Sequence, residues 1–327
     1  MNDTAFKELR IPLRHLTLAA KAWGNPADPP ILAVHGWLDN AGSFDRLAPL
    51  LDGHYLVAVD LAGHGRSDHR PAGTWYPFAD YLDDIGKLIK RFGWPSVDLL
   101  GHSLGAALVS TYAAICPQQV RRLLLIEGLG PLTQSADKTL DQLRKSHAAR
   151  DSFTSDGLRV FANLDEAIAA RCHSGNLSGQ AARSIVERGV KAVAGNPGGS
   201  GIDSTWQVPG TTLTGLDIRS GDGAACLDTR QASAGLSWSS DPQLTVPSST
   251  RLTEDQLADV LAAIVAPTCL ILAEPNAPYM PPAMVENRIA LLGEIEVVRM
   301  TGTHHLHLEE PQPVATALRE FLQRHSS

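Results

Sequence analysis

The chain has 327 residues, 43% of them hydrophobic, enough to bury one large core or two unequal ones. Its 28 basic and 35 acidic side chains leave a net charge of −7, which argues against nucleic acid or an anionic membrane as an obligate partner. Cys116, Cys172, Cys226 and Cys269 stand singly with no Cys-x-x-Cys pair, a usage that suits a reducing compartment.

Met1 to Glu8 is polar and charged, unlike a secretory signal. No run approaches the roughly 18 apolar residues of a membrane span. The expectation is a cytoplasmic protein without integral membrane association. From about residue 13 to 130, apolar runs alternate with helical patterns, which predicts a largely parallel sheet covered by helices. Pro30 to Val34 is a buried-strand run ending in His35-Gly36-Trp37, and Leu56 to Asp60 is a second, followed by the turn Leu61 to Ser67. Apolar residues at 78, 81, 82, 85, 88, 89 and 92 keep period 3.6, so a helix is expected over Phe78 to Phe92, with Gly93 as its stop. Next come a strand at Val97 to Leu100, a helix at Leu104 to Ile115 and a strand at Arg122 to Glu127.

The pattern breaks after Pro131. Residues 132 to 195 read as charged, mainly helical segments, including a run from Leu158 to Ala170. Residues 195 to 250 are rich in Gly, Ser, Thr and Pro and are expected to be the most protease-sensitive part of the chain. Alternation returns at Thr253-Glu254-Asp255-Gln256, a capping box with Thr253 as N-cap. A strand at Thr268 to Leu272, a helix from near Pro281, a strand at 295 to 299 and a last helix from Pro313 to Arg324 complete the chain. The expected organisation is a core in two halves, 1–131 and 251–327, with a cap inserted at 132–250.

The chemistry concentrates at Val97-Asp98-Leu99-Leu100-Gly101-His102-Ser103-Leu104-Gly105-Ala106-Ala107. An apolar strand runs into Gly-x-Ser-x-Gly and then a helix, the form of a nucleophile elbow with Ser103 at its tip. Glycines are needed on both sides because a side chain there would collide with neighbouring backbone. A serine hydroxyl attacks only when a base takes its proton. Such a base can come from the turn after the last strand, where His304, His305 and His307 compete. The histidine cluster lacks carboxylate or cysteine partners at ligand spacing, so neither metal nor cofactor is expected.

The order strand, His-Gly, serine elbow, acid, late histidine resembles that of the α/β-hydrolase superfamily. That resemblance implies a mostly parallel central sheet with helices on both faces and an inserted cap roofing the active site. Gly302, His304, Glu309 and Pro311 match the frame of the superfamily's last motif, which makes His304 the expected base. The backbone N–H groups of Trp37 and Leu104 are the expected oxyanion donors. The usual aspartate slot after the strand at 268 is filled here by Asn276, and an amide cannot stabilise an imidazolium by charge. Glu127 closes the strand after the elbow helix in a Glu-x-x-x-Pro stretch similar to one in haloalkane dehalogenases, and it is the expected acid. Glu274 is the alternative. Asp60, His64 and Arg66 form a turn read as structural, and Gly63-x-Gly65 lacks the rest of a dinucleotide fingerprint.

More narrowly, His35-Gly36-Trp37-Leu38-Asp39-Asn40, Gly101-His102-Ser103-Leu104-Gly105, Trp238-Ser239-Ser240-Asp241-Pro242 and Gly302-x-His304-x-x-His307 resemble the serine hydrolase-like proteins. Residues 196 to 236 depart from that branch, with Gly198-Gly199-Ser200-Gly201 and Gly221-Asp222-Gly223 reading as insertions. The expected activity is hydrolysis of a small-molecule carboxylic ester through an acyl-enzyme. A thioesterase or carbon–carbon hydrolase with the same triad is one alternative. A non-catalytic binding protein on this scaffold is another, favoured only if the triad is broken.

Overall fold

The strands of the first half are short, and all but the first, a mostly exposed edge strand, come from runs buried on both faces. In chain order these are β1 (Lys7–Pro12), β2 (Thr17–Trp23), β3 (Pro30–Val34), β4 (Tyr55–Val59), β5 (Val97–His102) and β6 (Val120–Ile126). Helix α1 (Phe78–Phe92) precedes β5, and α2 (Leu104–Ile115) joins it to β6. The computed structural model describes residues 6–154, 158–194 and 234–326. Most of the run expected to be protease-sensitive lies outside the described residues.

After β6 the chain leaves the sheet. It forms α3 (Thr139–Asp151), the two-residue strand β7 (Val160–Phe161), α4 (Leu164–Gly175), α5 (Gly179–Gly189), β8 (Val190–Ala194) and β9 (Ala234–Trp238). It then returns as α6 (Glu254–Ala262), β10 (Thr268–Glu274), α7 (Pro282–Ile289), β11 (Ile295–Thr301), α8 (Leu306–Glu309) and α9 (Pro311–Arg324).

Eight strands form one sheet in the order β1-β2-β4-β3-β5-β6-β10-β11. β2 pairs antiparallel with both its neighbours, and the pairs from β4 through β11 are parallel. Both faces are buried, as helix-covered parallel strands require. Alternate residues feed opposite cores: Leu32, Val57, Leu99, Leu123 and Leu270 pack on one face, and Ile31, Leu56, Leu100, Leu124 and Ile271 on the other. The first face is covered by α1, α2 and α6, the second by α9 through Val314, Leu318 and Phe321. β7, β9 and β8 make a separate antiparallel sheet, and a third small core of Phe161, Ile168, Ile185 and Val186 also takes in Leu308.

The structure differs from sequence expectation mainly between β6 and β10. The helical run expected from Leu158 begins only at Leu164, because Asn163 takes an extended backbone and caps the helix by accepting from the Glu166 N–H. The residues before it pair with β9 instead. The last helix starts at Pro311 rather than Pro313, with α8 as an extra turn before it. The capping box at Thr253 and the stop at Gly93, which adopts a φ of 70°, are both present. Among the described residues no helix is long and apolar enough to cross a membrane.

Candidate active site

β5 lies between β3 and β6, so whatever follows its C-terminal end sits at the centre of the sheet edge. Ser103 is that residue. Its φ of 53° and ψ of −113° mark a strained turn, and a non-glycine residue is held there only by its surroundings. Those surroundings are specific. The Ser103 N–H donates to the Ile126 carbonyl at 3.0 Å. A Cβ at position 101 would lie 2.5 Å from the Ala106 nitrogen, and one at 105 would overlap the Val34 carbonyl oxygen. Both glycines are therefore obligatory on packing grounds.

The turn after β3 rests against this elbow. A Cβ on Gly36 would come within 3.3 Å of the Ser103 Cβ. His35 is fully buried and bridges two turns. Its Nδ1 is 2.7 Å from the Gly36 carbonyl, and its Nε2 accepts from the Leu61 N–H at 3.0 Å. Burial pushes its pKa down to about 4, so it stays neutral. Trp37 points its indole N–H to the Leu244 carbonyl at 3.0 Å.

His304 comes from the loop between β11 and α8, and its Nδ1 is 3.1 Å from Glu127 Oε2. Glu127 follows β6 at a φ of 54°, with its own N–H given to the Ile271 carbonyl and its Oε1 accepting from the Ala273 N–H. It is 1% exposed. Burial pushes its pKa up to about 7, opposed by the Ala273 N–H and by the nearby His305. Burial likewise pushes His304 down to about 3, with His305 and Arg171 acting in the same direction and Asp39 against them. Both partners thus favour their neutral forms.

Of the two candidate carboxylates, Glu127 is the one beside the imidazole. Glu274 is exposed at the end of β10, and Asn276 gives its amide to the Met280 carbonyl at 3.3 Å. Asp60 accepts from the Ala41 and Arg66 N–H groups and from Arg188, the structural turn that the sequence suggests.

Several residues here escape sequence reasoning. The Tyr279 hydroxyl is 2.8 Å from each ring nitrogen of His304 and is also hydrogen bonded to Ser103. It arrives from a Pro-rich loop with no motif to mark it. Asp39, which the sequence shows only as part of a family-like stretch, is fully buried and paired with Arg171 at 2.5 Å. Arg171 itself lies on α4, in the segment whose pattern is least readable. His102 donates from Nε2 to the His304 carbonyl at 2.9 Å, and His307 meets Ser43 Oγ at 2.9 Å.

Comparison with known proteins agrees with this architecture. A family model described as alpha/beta hydrolase fold matches residues 29–179. A probable serine hydrolase of Drosophila melanogaster is 29% identical over 340 residues, covering 99% of this chain and 89% of that protein. A serine hydrolase-like protein of Danio rerio is 26% identical over 98% of this chain and 90% of its own length. A crystal structure of a hypothetical protein from Pseudomonas aeruginosa PAO1 superposes with a TM-score of 0.80 at 33% identity, covering 98% of this chain and 99% of that one.

Proposed function

The chain belongs to the α/β-hydrolase superfamily, in its serine hydrolase-like branch, and from that premise we propose that it hydrolyses small carboxylic esters through an acyl-enzyme. The observation that carries this reading is the Glu127–His304 contact of 3.1 Å beside a serine held at positive φ. In the proposed cycle Ser103 Oγ attacks the ester carbonyl while His304 takes its proton. Nδ1–H of His304 faces Glu127, whose negative charge stabilises the imidazolium as it forms. The Trp37 and Leu104 N–H groups would receive the developing oxyanion. His304 then protonates the leaving alcohol, and water, activated by the same imidazole, releases the acid.

The absence of an aspartate at 276 does not favour the non-catalytic reading, since Glu127 offers a buried carboxylate at the right imidazole nitrogen. We further propose that residues 132–250 act as a cap. Contacts from α4 and α5 to the turns after β3 and β4 support this: Arg171 to Asp39, Arg188 to Asp60, and Asn40 to the Ile185 carbonyl at 2.8 Å.

A fluorophosphonate probe and a p-nitrophenyl ester chain-length series test the reading. Wild type should label at one serine, and Ser103→Ala should abolish labelling and lower kcat by roughly 10⁴-fold or more. Labelling that survives in Ser103→Ala overturns the mechanism. Labelling without ester turnover would move the assignment to a thioester or carbon–carbon bond.

A further inference from the structure

Behind the elbow lies a cluster that the proposed ester chemistry does not use. Asp39, His102 and His305 are all buried, and one donor atom from each falls within 4.8 Å of the others. His305 Nε2 is 3.4 Å and His102 Nδ1 is 3.8 Å from Asp39 Oδ2. Asp39 Oδ2 and His102 Nδ1 have no hydrogen-bond partner among the described residues. Because His102 gives its Nε2 proton to the His304 carbonyl, its Nδ1 presents a lone pair. A carboxylate lone pair and an imidazole lone pair thus face each other in a buried place, an arrangement that costs free energy unless something positive lies between them.

We propose that Asp39, His102 and His305 form a binding site for a divalent transition-metal ion such as Zn²⁺. Two imidazoles and one carboxylate are a donor set such ions take. Tetrahedral bonds of about 2.0–2.1 Å place neighbouring ligand atoms roughly 3.3–3.5 Å apart, close to the 3.4 and 3.8 Å from Asp39 to the two imidazoles, while the imidazole nitrogens must close on each other from within 4.8 Å. The supporting shell is partly in place. The His304 carbonyl orients His102, and Arg171 Nη2 holds Asp39 Oδ1, which leaves Oδ2 to the ion; the same Nη2 lies 3.4 Å from His305 Nε2 and must yield that contact when the ion binds. Arg171 also sets a limit. Its charge already balances Asp39, so the ion's charge is incompletely compensated, and affinity of micromolar order is expected rather than that of a structural zinc site. Imidazole donors select against Mg²⁺ and Ca²⁺. The ion takes no part in the acyl-transfer step. It would fix the peptide that precedes Ser103 and the loop that carries His304.

The test uses the full-length, untagged protein stripped with a chelator, titrated with Zn²⁺ by calorimetry and with Co²⁺ by visible absorption. One ion per chain is expected, with a rise in melting temperature that Mg²⁺ does not produce. Asp39→Asn and His305→Gln should each weaken binding by more than about tenfold, the least expected for losing a direct ligand when outer-shell losses alone cost 10–100-fold. Ser103→Ala should bind as wild type does, so metal binding and the ester reading fail separately. Should Asp39→Asn not fold, His305→Gln decides alone. No saturable binding, or equal binding by His305→Gln and wild type, overturns the proposal.

Discussion

Glu127 carries two opposed demands. Catalysis in the proposed cycle needs it ionised, whereas burial pushes its pKa up to about 7 and so favours the protonated form. The groups facing it are the Ala273 N–H and His304, with His305 and Tyr279 near by. Below about pH 7 the carboxyl holds its proton and cannot stabilise an imidazolium. The expected kcat/KM profile therefore falls on the acid side with an apparent pKa near 7, a value that belongs to the Glu127–His304 pair. Glu127→Gln should lower kcat by roughly 10⁴-fold, and Glu274→Gln should stay within about tenfold of wild type. The stability consequence runs the other way. A raised folded pKa means stability is fully present below the ordinary glutamate value of 4.5 and is lost as pH rises through 7. Glu127→Gln should accordingly melt at a higher temperature than wild type at pH 8 and show little gain at pH 4. Tyr279 is the second residue-scale handle. Its hydroxyl occupies hydrogen-bonding capacity of both Ser103 and His304. Tyr279→Phe should raise the rate of fluorophosphonate labelling by a few fold, and a fall of tenfold or more would instead make the hydroxyl part of the machinery.

At the scale of elements, legibility tracks how local the determining physics is. The capping box of α6 needs four consecutive residues, Thr253 to Gln256, and both of its reciprocal hydrogen bonds are formed. Thr253→Ala should cost about 1 kcal/mol, read as a shift of a few degrees or less in melting temperature for a chain this long. The elbow is local at Gly101, whose Cβ would meet Ala106 of its own turn, whereas Gly105 is dictated by the Val34 carbonyl of β3 and is readable only through the motif. The segment between β6 and β10 is not local. Val160 and Phe161 are strand only because β9, more than seventy residues later, pairs with them, and no local pattern carries that information. The same reason hid Asp39, Arg171 and Tyr279 from the sequence. Asp39 meets a helix 132 positions away, and Tyr279 is defined by a histidine 25 positions on.

Across the whole molecule, the segment after β6 is tied to the sheet by charges that are out of water. Arg188 reaches from α5 to Asp60 at 2.9 Å and to Glu8 of β1 at 2.6 Å, and both Arg188 and Asp60 are buried. Removing one member of such a pair leaves the other's charge stranded. Arg188→Met should therefore destabilise the protein by about 3–5 kcal/mol, with earlier proteolytic cutting between β6 and β10. The double variant Arg188→Met with Asp60→Asn should recover part of that loss, and an additive result would count against a direct pairing.

Leu308, placed one turn after His304, packs not with the sheet but with Phe161, Ile168 and Ile185 in the small core. One further attachment reinforces it, the Ser178 N–H donating to Glu309 at 2.7 Å, while Arg46, from the stretch between β3 and β4, bonds to the Leu308 carbonyl from the sheet side. The loop bearing the imidazole is thus held from two sides at once: Leu308 and Glu309 join it to α4 and α5, while Leu306 packs in the sheet core and the His304 carbonyl accepts from His102 of β5, so the position of the base registers the packing of both layers.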